Sequence, residues 1–155
     1  MIIAQSGDEI LIVSKESANG ALGPWELPRG SWDKTDTRLE PSSTTGLVSR
    51  AVSQKNTILA TGLRELREET GYSGKNAKIL GEFVSDSSLY PQKVAVVFCA
   101  VDLSCPRHET DGEISSSRWV SPNQLRSLVA EGHIADGHTL SAIALWLIRC
   151  ASWEP

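Results

Sequence analysis

Residues 57–72, TILATGLRELREETGY, constrain this chain more than any other stretch, because they read as one helix with two opposed faces. Leu59, Leu63 and Leu66, at i, i+4 and i+7, form an apolar stripe that must be buried. Glu65, Glu68 and Glu69 project from roughly the opposite side, within an arc of about 100°. Like charges at these spacings repel by about 0.2–0.5 kcal/mol per pair, so the helix gains nothing by crowding them. Such a face calls for a cation. Its ordinary alternative is a solvated surface on which Arg64 and Arg67 pair with the glutamates. Gly71 follows the last turn, where a left-handed C-cap stops the helix.

The rest of the chain must cover the leucine stripe. At 155 residues there is room for one domain, 1–155, with a proper core. A net charge of −4 argues against coating a nucleic-acid polymer or an anionic membrane. The longest apolar run, around Leu140 to Ile148, is too short to cross a bilayer. The N-terminus lacks the basic flank of a signal peptide, and Asp8 and Glu9 interrupt its apolar residues. Cys99, Cys105 and Cys150 lack zinc spacing and read as free thiols in a reducing cytoplasm.

In chain order, Glu9 to Ser14 reads as a buried strand, with Met1 to Ala4 either part of it or a frayed end. Lys15 to Gly23 is a turn-rich connection containing the hairpin signal Asn19-Gly20. Trp25 to Gly30 (WELPRG) reads as a short edge strand entering a tight loop, where Pro28 withholds a donor and Gly30 permits close backbone approach. Ser31 to Asn56, rich in Ser and Thr, reads as a long surface loop with one helical turn near Leu47 to Val52. Strands are expected at Ala77 to Val84, Val94 to Leu103 and Ser116 to Val120, with a polar loop at Ser85 to Lys93 and an acidic loop at Cys105 to Ser115. Ser121 and Pro122 open a helix running to Ala130. His138 to Cys150 forms the last helix, with Leu140, Ile143, Ala144, Leu147 and Ile148 toward the core. This order predicts an α/β fold, a mixed sheet sandwiched by helices.

Three glutamates on one rigid helix offer the oxygen ligands that Mg²⁺ or Mn²⁺ prefers when it bridges phosphates. Arg64, four residues before Glu68, can orient that carboxylate. The reaction that suits such a site is metal-assisted hydrolysis of a phosphoanhydride.

The order of these residues is specific. Arg64-Glu65-Leu66-Arg67-Glu68-Glu69-Thr70-Gly71-Tyr72 resembles the second half of the Nudix box, G-x5-E-x7-R-E-U-x-E-E-x-G-U with U apolar, at every fixed position. The resemblance implies a Nudix-type α/β/α sandwich and cleavage of a nucleoside diphosphate linked to another group, with Mg²⁺ or Mn²⁺. It implies that Glu65, Glu68 and Glu69 bind metal, and that Arg64 orients them. The first half departs from the pattern: Asn56 stands where the family has glutamate, and Arg50 where it has glycine. Gly30 is the better glycine, which implies about twenty inserted residues before the helix. Either Glu40 or Asn56 could substitute for the missing acid, and Glu40 is given no role. WELPRG, and Glu131 to Asp136 followed by Thr139 and Ala142, are similar to the ADP-ribose pyrophosphatase branch. Ser88 to Gln92 lacks that branch's loop glycine, and because strand one begins almost at Met1 the branch's N-terminal β-domain is expected to be absent.

In related enzymes a loop glutamate before the last strand activates water or completes the metal site. Glu113, six residues before Trp119, is favoured over Glu109. Arg29 is a candidate phosphate contact, and Gly30 a candidate backbone contact. Trp25 and Tyr90 either stack on a base or pack in the core and its rim. The expected function is a metal-dependent pyrophosphohydrolase of ADP-ribose or a related ADP compound, acting on a small-molecule nucleotide. The alternatives are a (d)NTP, dinucleoside polyphosphate or nucleotide-sugar hydrolase, or a non-catalytic nucleotide sensor. A homodimer is the default assembly.

Overall fold

The computed structural model describes residues 1–17, 20–30 and 47–149. Asn19, residues 31–46 with Trp32 and Glu40, and Cys150 lie outside the described residues, as does the side chain of Tyr90. The elements are β1 (Ile2–Ser6), β2 (Glu9–Ser14), α1 (Leu47–Thr70), β3 (Gly74–Asp86), β4 (Tyr90–Val101), β5 (Ser116–Val120), α2 (Pro122–Ala130) and α3 (Gly137–Arg149). The strands form one sheet in the order β3-β4-β1-β2-β5. Only the β1–β4 pair among its neighbours is parallel, so the sheet is mixed, as expected.

Alternation along the central strands fills two cores. Ile3, Ile10, Ile12 and Val96 pack with Leu125 of α2 and Ala142, Ile143 and Trp146 of α3. Ile2, Ala4, Leu11, Cys99 and Val101 pack with Leu66 of α1, against which Leu63 and Tyr72 also lie. A sheet covered on both faces needs continuous apolar strands, which explains EILIVS and VAVVFCAV. Met1 to Ala4 is therefore not a frayed end. It belongs to a separate buried strand, turned into β2 at Gly7, whose φ of +56° a glycine tolerates.

Three expectations need correction. The helix starts at Leu47, so the last ten residues assigned to the loop are its first turns. Residues 54–56 there are exposed, and a polar stretch without an apolar stripe carries no periodic signal. The strands β3 and β4 are longer than predicted, and the polar loop between them shrinks to a turn at residues 87–89. The Asp86 carboxylate tightens this turn by accepting from the backbone N–H groups of Ser88 and Leu89 and from the Ser88 hydroxyl. On α3 the buried face is Thr139, Ala142, Ile143 and Trp146, while Ala144 and Ile148 face water. Thr139 tolerates burial because its hydroxyl accepts the Leu27 N–H at 3.2 Å.

Segment 25–30 is not a full strand. It makes one antiparallel bridge, Glu26 with Val13, and then Pro28 accepts the Ile2 N–H at 2.8 Å. This path delivers Gly30 to the acidic face of α1.

Candidate active site

Gly30 and Glu65 meet at the centre of the site. A Cβ on Gly30 would lie 1.8 Å from Glu65 Cδ, so only glycine admits the carboxylate here. Glycine in the loop and glutamate on the helix are one arrangement, made across the insertion. The C-terminal end of α1 is fixed as predicted: Gly71 has φ +75° and its N–H bonds Arg67 O at 2.8 Å. The loop after β4 is tied to that end, since His108 N–H bonds Gly71 O and Asp111 N–H bonds Glu68 O.

These elements enclose a cleft of about 510 Å³. Its acids are Glu65, Glu68 and Glu69 from α1, and Asp111 and Glu113 from the loop. Lys15, Arg29 and Arg64 supply its cations, and Gly30 its floor. Arg64 donates to Glu65 at 2.8 Å and to Glu68 at 2.5 Å, holding both carboxylates in place. Lys15 Nζ lies 3.1 Å from Glu113 Oε2 and 3.5 Å from Glu69 Oε1. Glu69 is only 4% exposed, and its Oε2 accepts the Arg29 N–H at 3.1 Å. Burial pushes its carboxyl up to about 7, against the opposing pull of the Arg29 N–H and Lys15. The Arg29 guanidinium is held by Glu26 at 3.0 Å and Asp136 at 3.6 Å.

Several sequence-predicted residues are thus brought together: Glu65, Glu68, Glu69, Arg64, Arg29, Gly30 and Glu113 line one cleft. Glu109 does not join them. It lines a neighbouring hollow of about 660 Å³ with Arg67, Ser73 and His108, which meets the cleft at Arg64 and Glu68. Trp25 is also elsewhere: it packs against the core, and the Arg118 guanidinium sits 4.3 Å from its ring centroid. Asn56 is exposed two turns before Arg64, about 12 Å away along the axis, and does not line the cleft. Sequence reasoning missed Lys15 and Asp111. Asp111 carried a signal, a third acid beside Glu109 and Glu113, whereas nothing in the pattern around Lys15 marks it.

A second pocket of about 460 Å³ adjoins the cleft and shares Gly30 and Glu65 with it. Ile58 and Gly62 of α1 and Val94, Ala95 and Val97 of β4 give it partly apolar walls.

The donor set fits a hard divalent cation in kind: five carboxylates face three protein cations, and one of the acids is buried. Among the described residues no three acids are already converged as a metal cage. Lys15 occupies the position between Glu69 and Glu113, so a metal held by Glu69 would enter by exchange.

An α/β/α sandwich that presents helix and loop carboxylates to such a cleft is the frame of a hydrolase acting on phosphorus-containing anhydrides. The chain belongs to the NUDIX domain family, which matches over residues 1–142. Among solved structures it is similar to an ADP compounds hydrolase, at 14% identity and a TM-score of 0.63, covering 96% of this chain and 71% of that one. It is also similar to a NUDIX hydrolase from Nitrosomonas europaea, at 18% identity and a TM-score of 0.59, covering 95% and 85%. At these identities the likeness shows the fold. No curated protein matches the chain.

Both free cysteines among the described residues, Cys99 and Cys105, lie outside the cleft, and burial raises the Cys99 thiol to about 12. No helix among them is long and apolar enough to cross a membrane.

Proposed function

We propose that the protein is a divalent-metal-dependent pyrophosphohydrolase of a nucleoside diphosphate derivative, with ADP-ribose or a related ADP compound as its first substrate class. The observation that carries this reading is that five carboxylates line one cleft of about 510 Å³ together with Gly30. Glu65, Glu68 and Glu69 would hold Mg²⁺ or Mn²⁺, which supplies neutralisation of phosphate charge and acidification of bound water. Arg64 keeps Glu65 and Glu68 aimed into the cleft through its two hydrogen bonds. Glu113, at the exposed rim of the cleft, would take the proton of the attacking water. Arg29, which lines the same cleft, would face the phosphates. The adjoining pocket with walls from Ile58, Val94 and Val97 suits the nucleoside. The ADP preference is supported by the branch-like WELPRG segment and by a structural neighbour described as an ADP compounds hydrolase. A reducing, cytoplasmic setting fits the free thiols of Cys99 and Cys105.

The test is incubation with Mg²⁺ or Mn²⁺ across ADP-ribose, nucleotide sugars, dinucleoside polyphosphates and (d)NTPs. AMP release from ADP-ribose, faster than turnover of the other groups, is expected. The cation-occupied acids give one specific reason to keep the sensor reading as a rival. Calorimetric binding of a nucleotide with no product across the panel would establish the sensor instead.

A further inference from the structure

Lys15 is the cleft cation with no role in the resemblance, and its placement is distinctive. Arg29 is taken by Glu26 and Asp136. Arg64 pairs with two glutamates of its own helix, Glu65 and Glu68. Lys15 joins two acids that line the cleft from different elements, Glu69 of α1 and Glu113 of the loop before β5. Its backbone is anchored, because its carbonyl accepts the Gly23 N–H at 2.8 Å. On either side Ser14 and Glu16 are bonded to Ser115, at 3.1 and 2.9 Å. Only the stem can move. The side chain is 39% exposed, so its ammonium can reach water without crossing protein. A lysine head is a compact point charge on a flexible stem, unlike the planar fork of an arginine.

We propose that Lys15 is a resident counter-cation that holds Glu69 and Glu113 together in the metal-free protein and competes with the divalent ion for them. The inference rests on the metal-dependent reading above. Glu69 is nearly buried and would otherwise carry its charge beside Glu65 with no mobile partner. The bridge makes metal entry an exchange of one cation for another, so Lys15 sets the threshold of metal concentration at which the site fills.

The experiment is Mn²⁺ binding to the nucleotide-free protein, read by electron paramagnetic resonance of the free ion and by calorimetry, with circular dichroism to check folding. Lys15→Met is expected to bind Mn²⁺ about tenfold more tightly than the wild type, with a lower melting temperature in chelator. Lys15→Arg, which keeps the charge and adds donors, is expected to bind more weakly than Lys15→Met. Unchanged or weaker Mn²⁺ binding by folded Lys15→Met would overturn the competition. If Lys15→Met does not fold, Lys15→Gln takes its place with the same expectation. Absence of Mn²⁺ binding by every form, wild type included, would overturn the metal-dependent reading itself and this inference with it.

Discussion

Replacing Glu69 by Gln should separate stability from function in opposite directions. In the metal-free protein the Glu69 carboxyl rises from 4.5 to about 7, first because it is buried. That rise corresponds to roughly 3 kcal/mol. For a carboxyl whose folded pKa is raised, this penalty is absent below about pH 4.5, grows as pH rises, and is complete above about pH 7. The wild type in chelator should therefore lose stability from this group across that window. Glu69→Gln removes the charge and with it the pH dependence. Its amide oxygen can still accept the Arg29 N–H, although the Lys15 attraction is lost. A gain of about 1–3 kcal/mol at mildly alkaline pH is expected, or about 3–10 °C in Tm for a chain of this size. Added Mg²⁺ should reverse the order, because it stabilises only the protein that binds it. Turnover should fall by about two orders of magnitude or more. Differential scanning calorimetry in chelator and in Mg²⁺, on both sides of the window, gives the comparison. A variant less stable than wild type at alkaline pH in chelator would refute the claim that burying this charge is costly.

The remaining predictions concern the cleft wall. Gly30→Ala would push a methyl into the Glu65 side chain, which is flexible, so the fold should survive with a loss below about 1 kcal/mol while turnover drops about 10–100-fold. Near-normal turnover with a normal melting curve would show that the contact does not place the carboxylate. Glu113→Gln should lower kcat by about 10²–10³-fold, whereas Glu109→Gln should stay close to wild type. Equal losses in the two would remove the distinction that Glu113 lines the cleft and Glu109 only its neighbour.

The acidic helix was legible because chemistry fixes residue types at helical spacing, and no accidental surface charge need follow R-E-L-R-E-E-T-G-Y. The glycine that serves it was legible only as a candidate. Gly30 precedes the helical box by more than thirty residues, and its pairing with Glu65 is a tertiary fact. The two-sided core could be read from the unbroken apolar strands, yet Met1 to Ala4 could not be divided from β2 because a single Gly-Asp step is a weak turn signal. Polar residues 85–93 read as a loop although most pair in the hairpin; sheet backbone bonds do not need apolar side chains. The α3 face was misassigned by about one residue, since its apolar residues surround much of the helix and the Thr139–Leu27 bond decides the rotation. Lys15 was invisible for a simpler reason. One lysine after a strand has no pattern, and its role comes from Glu69 and Glu113 arriving from distant segments.

The most direct measurement is anomalous diffraction from crystals soaked with Mn²⁺ and a slowly hydrolysed ADP compound. The account predicts a manganese peak bounded by Glu65, Glu68 and Glu69, with the diphosphate across it and the Lys15 ammonium moved off Glu69. A nucleotide bound elsewhere, with Glu69 still paired to Lys15 and no metal beside the three carboxylates, would contradict it.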